Sequence, residues 1–265
     1  MNKTAQILEK VREEKPLVHH ITNWVTIYDC ANVVRAVGAL PVMAHAVEEA
    51  ADMAKLASAL VLNIGTLTNG VVEAMKLAGK AANQKKIPIV LDAVGAGATR
   101  YRDEKTIELI RELQIDIIKG NCSEIARIAG IDVVTKGVEA TRVEEDMQMI
   151  AKKLAREREA TVVITGREDI ISDGDTVYIC RNGHEMMGTI VGTGCMAASM
   201  IGVFAAVEKN YARAASSALA AFGIAGELAS VESDGPGSFK ENFYDSLYNL
   251  SARDIESHEK LEEIL

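Results

Sequence analysis

The chain has 265 residues, of which 48% are hydrophobic and 25% charged, and its formal net charge is −9. No linker-like, low-complexity or repeated stretch interrupts it, so we expect a single domain over residues 1–265. The negative charge and the lack of a basic cluster argue against a nucleic-acid partner. Any phosphate-binding site must therefore be built locally, from backbone amides, a few cations and a metal ion.

The cysteines and apolar segments bear on where the protein works. Cys30, Cys122, Cys180 and Cys195 include no CxxC pair, which indicates reduced thiols and no zinc site. Residues 1–16 are typical of a charged amphipathic helix, not of a signal peptide. Because no uninterrupted apolar run reaches about 18 residues, we expect no membrane partner and a cytoplasmic protein.

Short apolar runs alternate with helical patterns over the middle of the chain. The runs are residues 60–65, 87–92, 115–121 and 161–166. The helical patterns are residues 48–58, 69–83, 103–113 and 143–157. Nearly continuous apolar runs are typical of strands covered on both faces, as in a parallel sheet. The alternation therefore predicts an α/β sandwich of helix, sheet and helix.

After Gly166 the pattern changes. Residues 169–172 and 176–180 flank an Asp-Gly turn and predict a β-hairpin. The Ala-rich residues 194–207 and 211–231 predict two late helices. We expect a parallel sheet that ends in a meander, with these helices packed against it.

Ligands of open α/β sheets collect at the carboxyl ends of the strands. Gly65, Asp92 and the loop after it, Asn121, Glu124 and Thr165 all fall at such ends. In addition, Gly192-Thr193-Gly194-Cys195 opens a helix, where free amides can hold phosphoryl oxygens. The alternative is a plain turn before a helix. A Walker A loop is excluded, because the chain has no GxxxxGK[ST] sequence.

Two of these segments have more than one interpretation. Residues 94–100 have the form GxGxxR, and since the third glycine is missing we favour a metal-phosphate loop beside Asp92 over a dinucleotide fingerprint. Asn121 and Glu124 have the spacing of a helix capping box. They also lie where an oxygen ligand can hold Mg²⁺ directly or through water, and both interpretations can hold together.

A pocket is predicted near the amino end of the chain. Residues 19–25 concentrate polar side chains and the one Trp, and residues 38–44 are small and apolar and include Met43. Together they suit a flat, partly apolar ring with a few polar contacts. The alternative for Met43 is simple core filling.

In this order and spacing, the segments resemble the hydroxyethylthiazole kinases of thiamine salvage, in the ribokinase-like superfamily. The resemblance runs over nearly the whole chain, through residues 20–23, 38–44, 63–67, 91–99, 119–124, 165–166 and 192–195. It implies a three-layer α/β sandwich with a mostly parallel central sheet, helices on both faces and a late β-hairpin. It also implies Mg²⁺- and ATP-dependent phosphorylation of the primary hydroxyl of 4-methyl-5-(2-hydroxyethyl)thiazole, by a homotrimer with sites between subunits.

The resemblance also assigns roles to residues. The substrate-binding residues are Asn23, Met43, Gly65, Gly192 and Gly194; the ATP-binding residues are Lys119, Asn121 and Thr165; the metal-site residues are Asp92 and Glu124; and the catalytic residue is Cys195. Two positions depart from the family pattern. Lys119 is often Arg there, and Lys keeps the charge without the bidentate fork. Ala93 stands where Pro is common, which removes some loop rigidity but no chemical group.

Cys195 separates this chain from sugar kinases, which have an Asp general base at that position. A thiol at a helix amino end is expected to have a lowered pKa, so Cys195 is a candidate base; alternatively it only fills the space beside the substrate hydroxyl. Rival functions are another ribokinase-like enzyme (a hydroxymethylpyrimidine or sugar kinase, or an ATP-dependent NAD(P)H-hydrate dehydratase) and a non-catalytic nucleotide- or thiazole-binding regulator. Cys195 disfavours another ribokinase-like enzyme. The two acids Asp92 and Glu124 disfavour a non-catalytic regulator, which would not need both.

Overall fold

A computed structural model describes residues 2–131 and 140–264, with side chains for all of these except 140–146. The described residues form nine strands in one sheet. They are β1 (Leu17–Ile21), β2 (Leu40–Val42), β3 (Ala59–Asn63), β4 (Ile89–Asp92), β5 (Ile117–Asn121), β6 (Thr161–Thr165), β7 (Asp169–Ser172), β8 (Val177–Cys180) and β9 (Leu261–Ile264).

Eleven α-helices are found in the same part of the chain. They are α1 (Lys3–Glu14), α2 (Ile27–Val37), α3 (Ala50–Leu56), α4 (Asn69–Lys85), α5 (Arg100–Glu112), α6 (Cys122–Ile128), α7 (Ala140–Arg158), α8 (Thr193–Val207), α9 (Tyr211–Val231), α10 (Pro236–Asn249) and α11 (Ala252–His258). A short 3₁₀ helix spans Glu185–Thr189.

The strand order is β2-β1-β3-β4-β5-β6-β7-β8-β9. Strands β1 to β6 pair with one another in parallel. Strands β7, β8 and β9 are antiparallel to their neighbours. Strand alternation sends Val61 and Val90 to one apolar core and Leu60 and Leu91 to another. Helices α1, α2 and α8 to α11 contribute to the first core, and α3 to α7 to the second. The predicted three-layer α/β sandwich is thereby confirmed.

The predicted strands and the hairpin are confirmed, with small shifts at their ends. Strands β1, β2 and β9 and helices α2, α10 and α11 were not predicted. β1 has two histidines among its five residues, and β2 has only three residues, one of them a proline. Both are short and depart from the apolar or alternating patterns that identify a strand.

Helix α9 needs a separate comment, because by length and composition alone it could cross a membrane. In the fold, 78% of its most apolar stretch is buried inside the protein. This burial explains the composition, since a helix covered on most sides needs few polar residues.

Gly202 sets the distance between α8 and the sheet. A Cβ added there would lie 2.5 Å from Val61 Cγ2. We expect Gly202→Ala to lower the free energy of unfolding by about 1–3 kcal/mol through overpacking, measured by urea denaturation. The control is Gly70→Ala in the first turn of α4, where the nearest atom is 4.0 Å away. Unfolding unchanged by Gly202→Ala would contradict this close packing.

Candidate active site

A chain of polar side chains crosses the carboxyl ends of the parallel strands. The strand register places Asn63 opposite Asp92, and Asp92 opposite Lys119. Asp92 Oδ2 accepts a hydrogen bond from Asn63 Nδ2 at 2.6 Å, and its Oδ1 accepts one from Lys119 Nζ at 3.0 Å. Asn23 Nδ2 lies 3.0 Å from Asn63 Oδ1 and 3.3 Å from Cys195 Sγ. The predicted residues Asn23, Asp92, Lys119 and Cys195 therefore meet in one network.

The amino end of α8 closes this network from the other side. Gly192 is the cap residue, with φ of +94°, and an added Cβ there would collide with the Thr26 side chain. A Cβ added at Gly194 would lie 3.2 Å from Lys119 Nζ. Only glycine combines this backbone conformation with so close an approach. The first turn of α8 therefore lies against Lys119 of the Asp92–Lys119 pair.

Asp92 and Lys119 form a buried ion pair, with 0% and 4% of their surfaces exposed. Burial acts to lower the pKa of Lys119, but the charge and hydrogen bond of Asp92 outweigh it and raise that pKa. Lys119 is therefore a cation at neutral pH. Burial raises the pKa of Asp92, opposed chiefly by Lys119. The site holds one positive charge that is fixed in place by its partner.

The pKa of Cys195 is shifted in the direction opposite to the one predicted. Burial, and after it the negative charge of Asp92, raise the pKa of this thiol. Desolvation disfavours the thiolate, and it is the largest of the effects that act on this pKa. The prediction of a partly ionised Cys195 at neutral pH is wrong for this structure.

Glu124 fulfils the capping-box interpretation. Its Oε2 accepts from the Asn121 amide at 2.7 Å, and Asn121 Oδ1 accepts from the Glu124 amide at 3.0 Å. Its Oε1 accepts from the Gly95 amide at 2.7 Å, which ties the Gly-rich loop after β4 to α6. The carboxylate is thus at the same sheet edge as Asp92, as the metal interpretation requires, while it also caps a helix.

The carboxylates of Asp92 and Glu124 are the candidate ligands for Mg²⁺. Within the described residues, no cluster of three or more His, Cys, Asp or Glu side chains is arranged to hold a metal. Each oxygen of Asp92 and Glu124 already accepts one protein hydrogen bond. Carboxylate oxygens keep a further lone pair, and Mg²⁺ in kinases uses one or two carboxylates together with waters and phosphates. The pair fits a water-rich magnesium site and does not form an all-protein cage.

A cleft of about 880 Å³ opens beside this network. Thr165 lines it at the end of β6, and Thr193 and Gly194 line it at the start of α8. Asp169 also lines it, and burial raises the pKa of this carboxyl to about 6. A second cleft of about 480 Å³ lies along the 95–98 loop, Asn121 and Glu124.

The remaining predicted residues lie on the β1 side of the network. Gly65 donates its amide to Asn63 Oδ1 at 2.9 Å, and an added Cβ there would lie 2.8 Å from Asn23 Cβ. Met43 follows β2, farther out along the sheet, and is half-buried. The next residue but one, His45, packs edge-on against Trp24 at 4.4 Å between ring centroids. Gly65 therefore joins the network, whereas Met43 lies after the neighbouring edge strand β2, beside the segment that packs on Trp24.

Asn63 and Asp169 were not predicted as site residues. Asn63 is 2% exposed and bridges Asn23 to Asp92 through both ends of its amide. Its signal in the sequence was a polar side chain closing an otherwise apolar strand. Asp169 is the first residue of β7, and the predicted ATP-binding residue Thr165 ends the preceding strand. Nothing in the neighbouring sequence indicates that the Asp169 side chain lines a cleft.

The architecture is that of the ribokinase-like fold. It is similar to a ribokinase-like superfamily protein of Enterococcus faecalis, with a TM-score of 0.63 and 13% identity over 95% of this chain and 98% of that one. It is also similar to the pyridoxal kinase of Staphylococcus aureus in complex with ADP, with a TM-score of 0.63 and 16% identity over 94% and 98% of the two chains. At these identities the similarity establishes the fold alone.

A more specific similarity follows. The model of the hydroxyethylthiazole kinase family matches residues 8–253. The hydroxyethylthiazole kinase of Methanosarcina mazei is 59% identical over 97% of this chain and 98% of its own length. The structure of the Pyrococcus horikoshii hydroxyethylthiazole kinase protein covers 100% of both chains at 42% identity, with a TM-score of 0.93. The chain belongs to the hydroxyethylthiazole kinase family.

The buried ion pair gives a stability prediction. Lys119→Met leaves Asp92 buried without its counter-charge, so we expect a loss of about 3–5 kcal/mol in the free energy of unfolding. Adding Asp92→Asn should recover much of that loss. Without Lys119, burial holds the pKa of Asp92 above its unfolded value, so the native state binds the extra proton and the loss is smaller at pH 5 than at pH 8.

The measurement is urea denaturation at both pH values. Lys80→Met, which removes an exposed ion pair with Glu112 at 3.2 Å, is the control and should leave unfolding nearly unchanged. Equal losses for Lys119→Met and Lys80→Met would contradict the account of a buried pair.

Proposed function

We propose that this chain transfers the γ-phosphate of ATP to the primary hydroxyl of 4-methyl-5-(2-hydroxyethyl)thiazole, as a step in thiamine biosynthesis or salvage. Family membership and relatives named hydroxyethylthiazole kinase support the substrate. The single observation that carries the chemistry is the amino end of α8 lying against Lys119 of the Asp92–Lys119 pair, with Cys195 in the same turn and 3.3 Å from Asn23 Nδ2.

The phosphoryl group would lie against the first turn of α8. The amides of residues 193–195 are at a helix amino end, where unpaired N–H groups and the helix dipole favour anions. Lys119, held cationic by Asp92, adds a fixed positive charge beside Gly194. Phosphoryl transfer has a loose transition state with charge on the equatorial oxygens, so these preorganised groups would supply most of the rate enhancement.

Asp92 and Glu124 would hold Mg²⁺ through water and the ATP phosphates. When bound there, Mg²⁺ neutralises charge on the β- and γ-phosphate oxygens. ATP would enter the 880 Å³ cleft at Thr165. Its phosphates would then lie near Lys119, which is beside Gly194, and near Asn121, which lines the second cleft. The residues of this chain position the two substrates and exclude water, and the ion complements their charge.

The alcohol would occupy the side of the network formed by Asn23, Gly65 and Met43, with the Gly192–Gly194 loop next to it. Its hydroxyl would lie against Cys195. Because the pKa of this thiol is raised, Cys195 enters the reaction protonated at neutral pH. A loose transition state makes little demand on base strength, so the hydroxyl proton can leave late, after bonding to phosphorus has begun, and pass to an oxygen of the transferred phosphoryl group.

A homotrimer with sites between subunits is part of this proposal, as is a cytoplasmic location for a single-domain chain. Apolar side chains beside the site support an intersubunit surface. Trp24 is 50% exposed, Val25 67%, Tyr28 73% and Val191 70%. Val191 precedes Gly192, which backs onto Thr26, so this apolar surface borders the entrance to the site.

The direct test is a coupled ADP-release assay with Mg-ATP. We expect ADP release only when the thiazole alcohol is added, and little with sugars, hydroxymethylpyrimidine or hydrated nicotinamide nucleotides. Preference for one of those compounds would support a related ribokinase-like enzyme instead. ATP binding with no release of ADP in the presence of any alcohol would support a non-catalytic regulator.

The role of Cys195 gives a second test. We expect Cys195→Ser to lower kcat but to leave it measurable, and Cys195→Asp to remain active, because a carboxylate can accept the hydroxyl proton. If the thiol accepts the proton, kcat/KM of the wild type rises with pH toward its raised pKa, and Cys195→Asp moves that rise to lower pH. Identical pH profiles for the wild type and Cys195→Ser would show that Cys195 only fills space.

A further inference from the structure

Arg102 makes an unusual set of contacts behind the site. It lies in the first turn of α5, and its guanidinium donates three hydrogen bonds to backbone carbonyls. Nη1 donates to Ile64 at 2.7 Å and to Val94 at 2.8 Å, and Nη2 donates to Gly65 at 2.7 Å. Ile64 and Gly65 follow β3, whereas Val94 follows β4. One side chain therefore ties together the loops at the ends of two neighbouring strands.

The two loops serve different halves of the site. The 64–65 loop packs against Asn23, on the side where the alcohol would lie. The 94–97 loop contacts Glu124 through the Gly95 amide and lines the second cleft, on the phosphate side. Through these hydrogen bonds, Arg102 directly connects the alcohol half of the site to the phosphate half.

Each loop also has an anchor that does not involve Arg102. The Gly65 amide is held by Asn63 Oδ1 at 2.9 Å, and the Gly95 amide is held by Glu124 Oε1 at 2.7 Å. Losing Arg102 would leave each half of the site internally ordered. The ends of β3 and β4 are also joined directly, by the Ile64 amide donating to the Asp92 carbonyl at 3.2 Å and by Asn63 donating to Asp92. What the loss of Arg102 would remove is the constraint between the loops beyond those strand ends, at Gly65 and Val94.

We propose that Arg102 is a positioning residue that sets the alignment of the alcohol-binding loop with the phosphate loop. This role rests on the proposed phosphotransfer reaction. In-line transfer requires the attacking oxygen and the phosphorus to be placed within a fraction of an ångström, and a misplacement of about 1 Å can cost about 100-fold in rate. Binding of each substrate alone has no such requirement, so the effect falls on kcat.

The planar guanidinium suits this role, because its donors are fixed in a fork that can reach carbonyls of both loops. A lysine has a single nitrogen at the end of a flexible stem. Arg102→Lys keeps the charge but loses the fork, and Arg102→Met loses both. If alignment depends on the fork, the two variants should both be impaired, with Arg102→Lys between Arg102→Met and the wild type.

The chain offers a matched control in Arg12. Its guanidinium also donates to three carbonyls: Nη1 to Leu250 at 2.7 Å, and Nη2 to Leu247 at 3.2 Å and Tyr248 at 3.0 Å. Arg12 lies in α1, which leads into the amino end of β1, away from the strand ends that form the site. Arg12→Met therefore loses the same kind of contacts without touching either loop.

The experiment measures kcat, both KM values and thermal unfolding for the wild type, Arg102→Lys, Arg102→Met and Arg12→Met, all assayed while folded. We expect Arg102→Met to lower kcat by roughly 100-fold, with each KM within about threefold, and Arg12→Met to keep kcat within about twofold. Isothermal titration of Arg102→Met with ADP alone should give an affinity close to that of the wild type.

The outcomes separate this role from the reaction it serves. If the wild type turns over and Arg102→Met keeps its kcat, so that any loss of kcat/KM comes only from a higher KM, the positioning role is wrong and the proposed reaction stands. A fall in kcat for Arg12→Met equal to that for Arg102→Met would show a general loss of structure and would also overturn the role. If the wild type releases no ADP with the alcohol, the proposed reaction fails, and the role fails with it.

Discussion

The ion pair between Asp92 and Lys119 is the interaction on which the site depends. It joins two adjacent parallel strands at their carboxyl ends, with both side chains buried. A buried ion pair contributes little net stability, because desolvation offsets much of the attraction. Its significance is positional, since it fixes a cation beside the amino end of α8 and gives Asp92 an orientation that Asn63 completes. Buried ionisable groups whose pKa values are shifted by burial and a specific charge partner are typical of functional sites.

Small residues allow the rest of the site to approach this pair. Gly192 lets α8 begin against Thr26, Gly194 leaves room for Lys119, and Gly65 leaves room for Asn23. Each larger side chain would push a backbone amide away from the network. The site is therefore built mainly from backbone and two charges, which suits a reaction in which positioning and charge neutralisation dominate. Excess negative charge over the whole chain is compatible with this arrangement, because the positive field is local.

The sequence allowed much of this to be predicted, and the failures have physical causes. Strands buried on both faces, such as β3 and β4, are visible as apolar runs, and the capping box of α6 is visible because its residues are three apart. Asn63 was missed because its partners are 29 and 40 residues away and meet it only through strand pairing. The predicted direction of the Cys195 pKa shift was wrong for a similar reason. Burial and the charge of Asp92 raise this pKa, and neither can be seen from the residues next to Cys195 in sequence.

The central claim is that the phosphates of ATP lie across the strand ends between α8 and the Asp92–Lys119 pair. A crystal structure with Mg²⁺, a non-hydrolysable ATP analogue and the thiazole alcohol tests it most directly. We predict the terminal phosphate within about 3 Å of amides in residues 193–195 and of Lys119 Nζ, with the alcohol oxygen facing Cys195. Triphosphate bound away from the start of α8, with Lys119 still paired only to Asp92, would contradict the account.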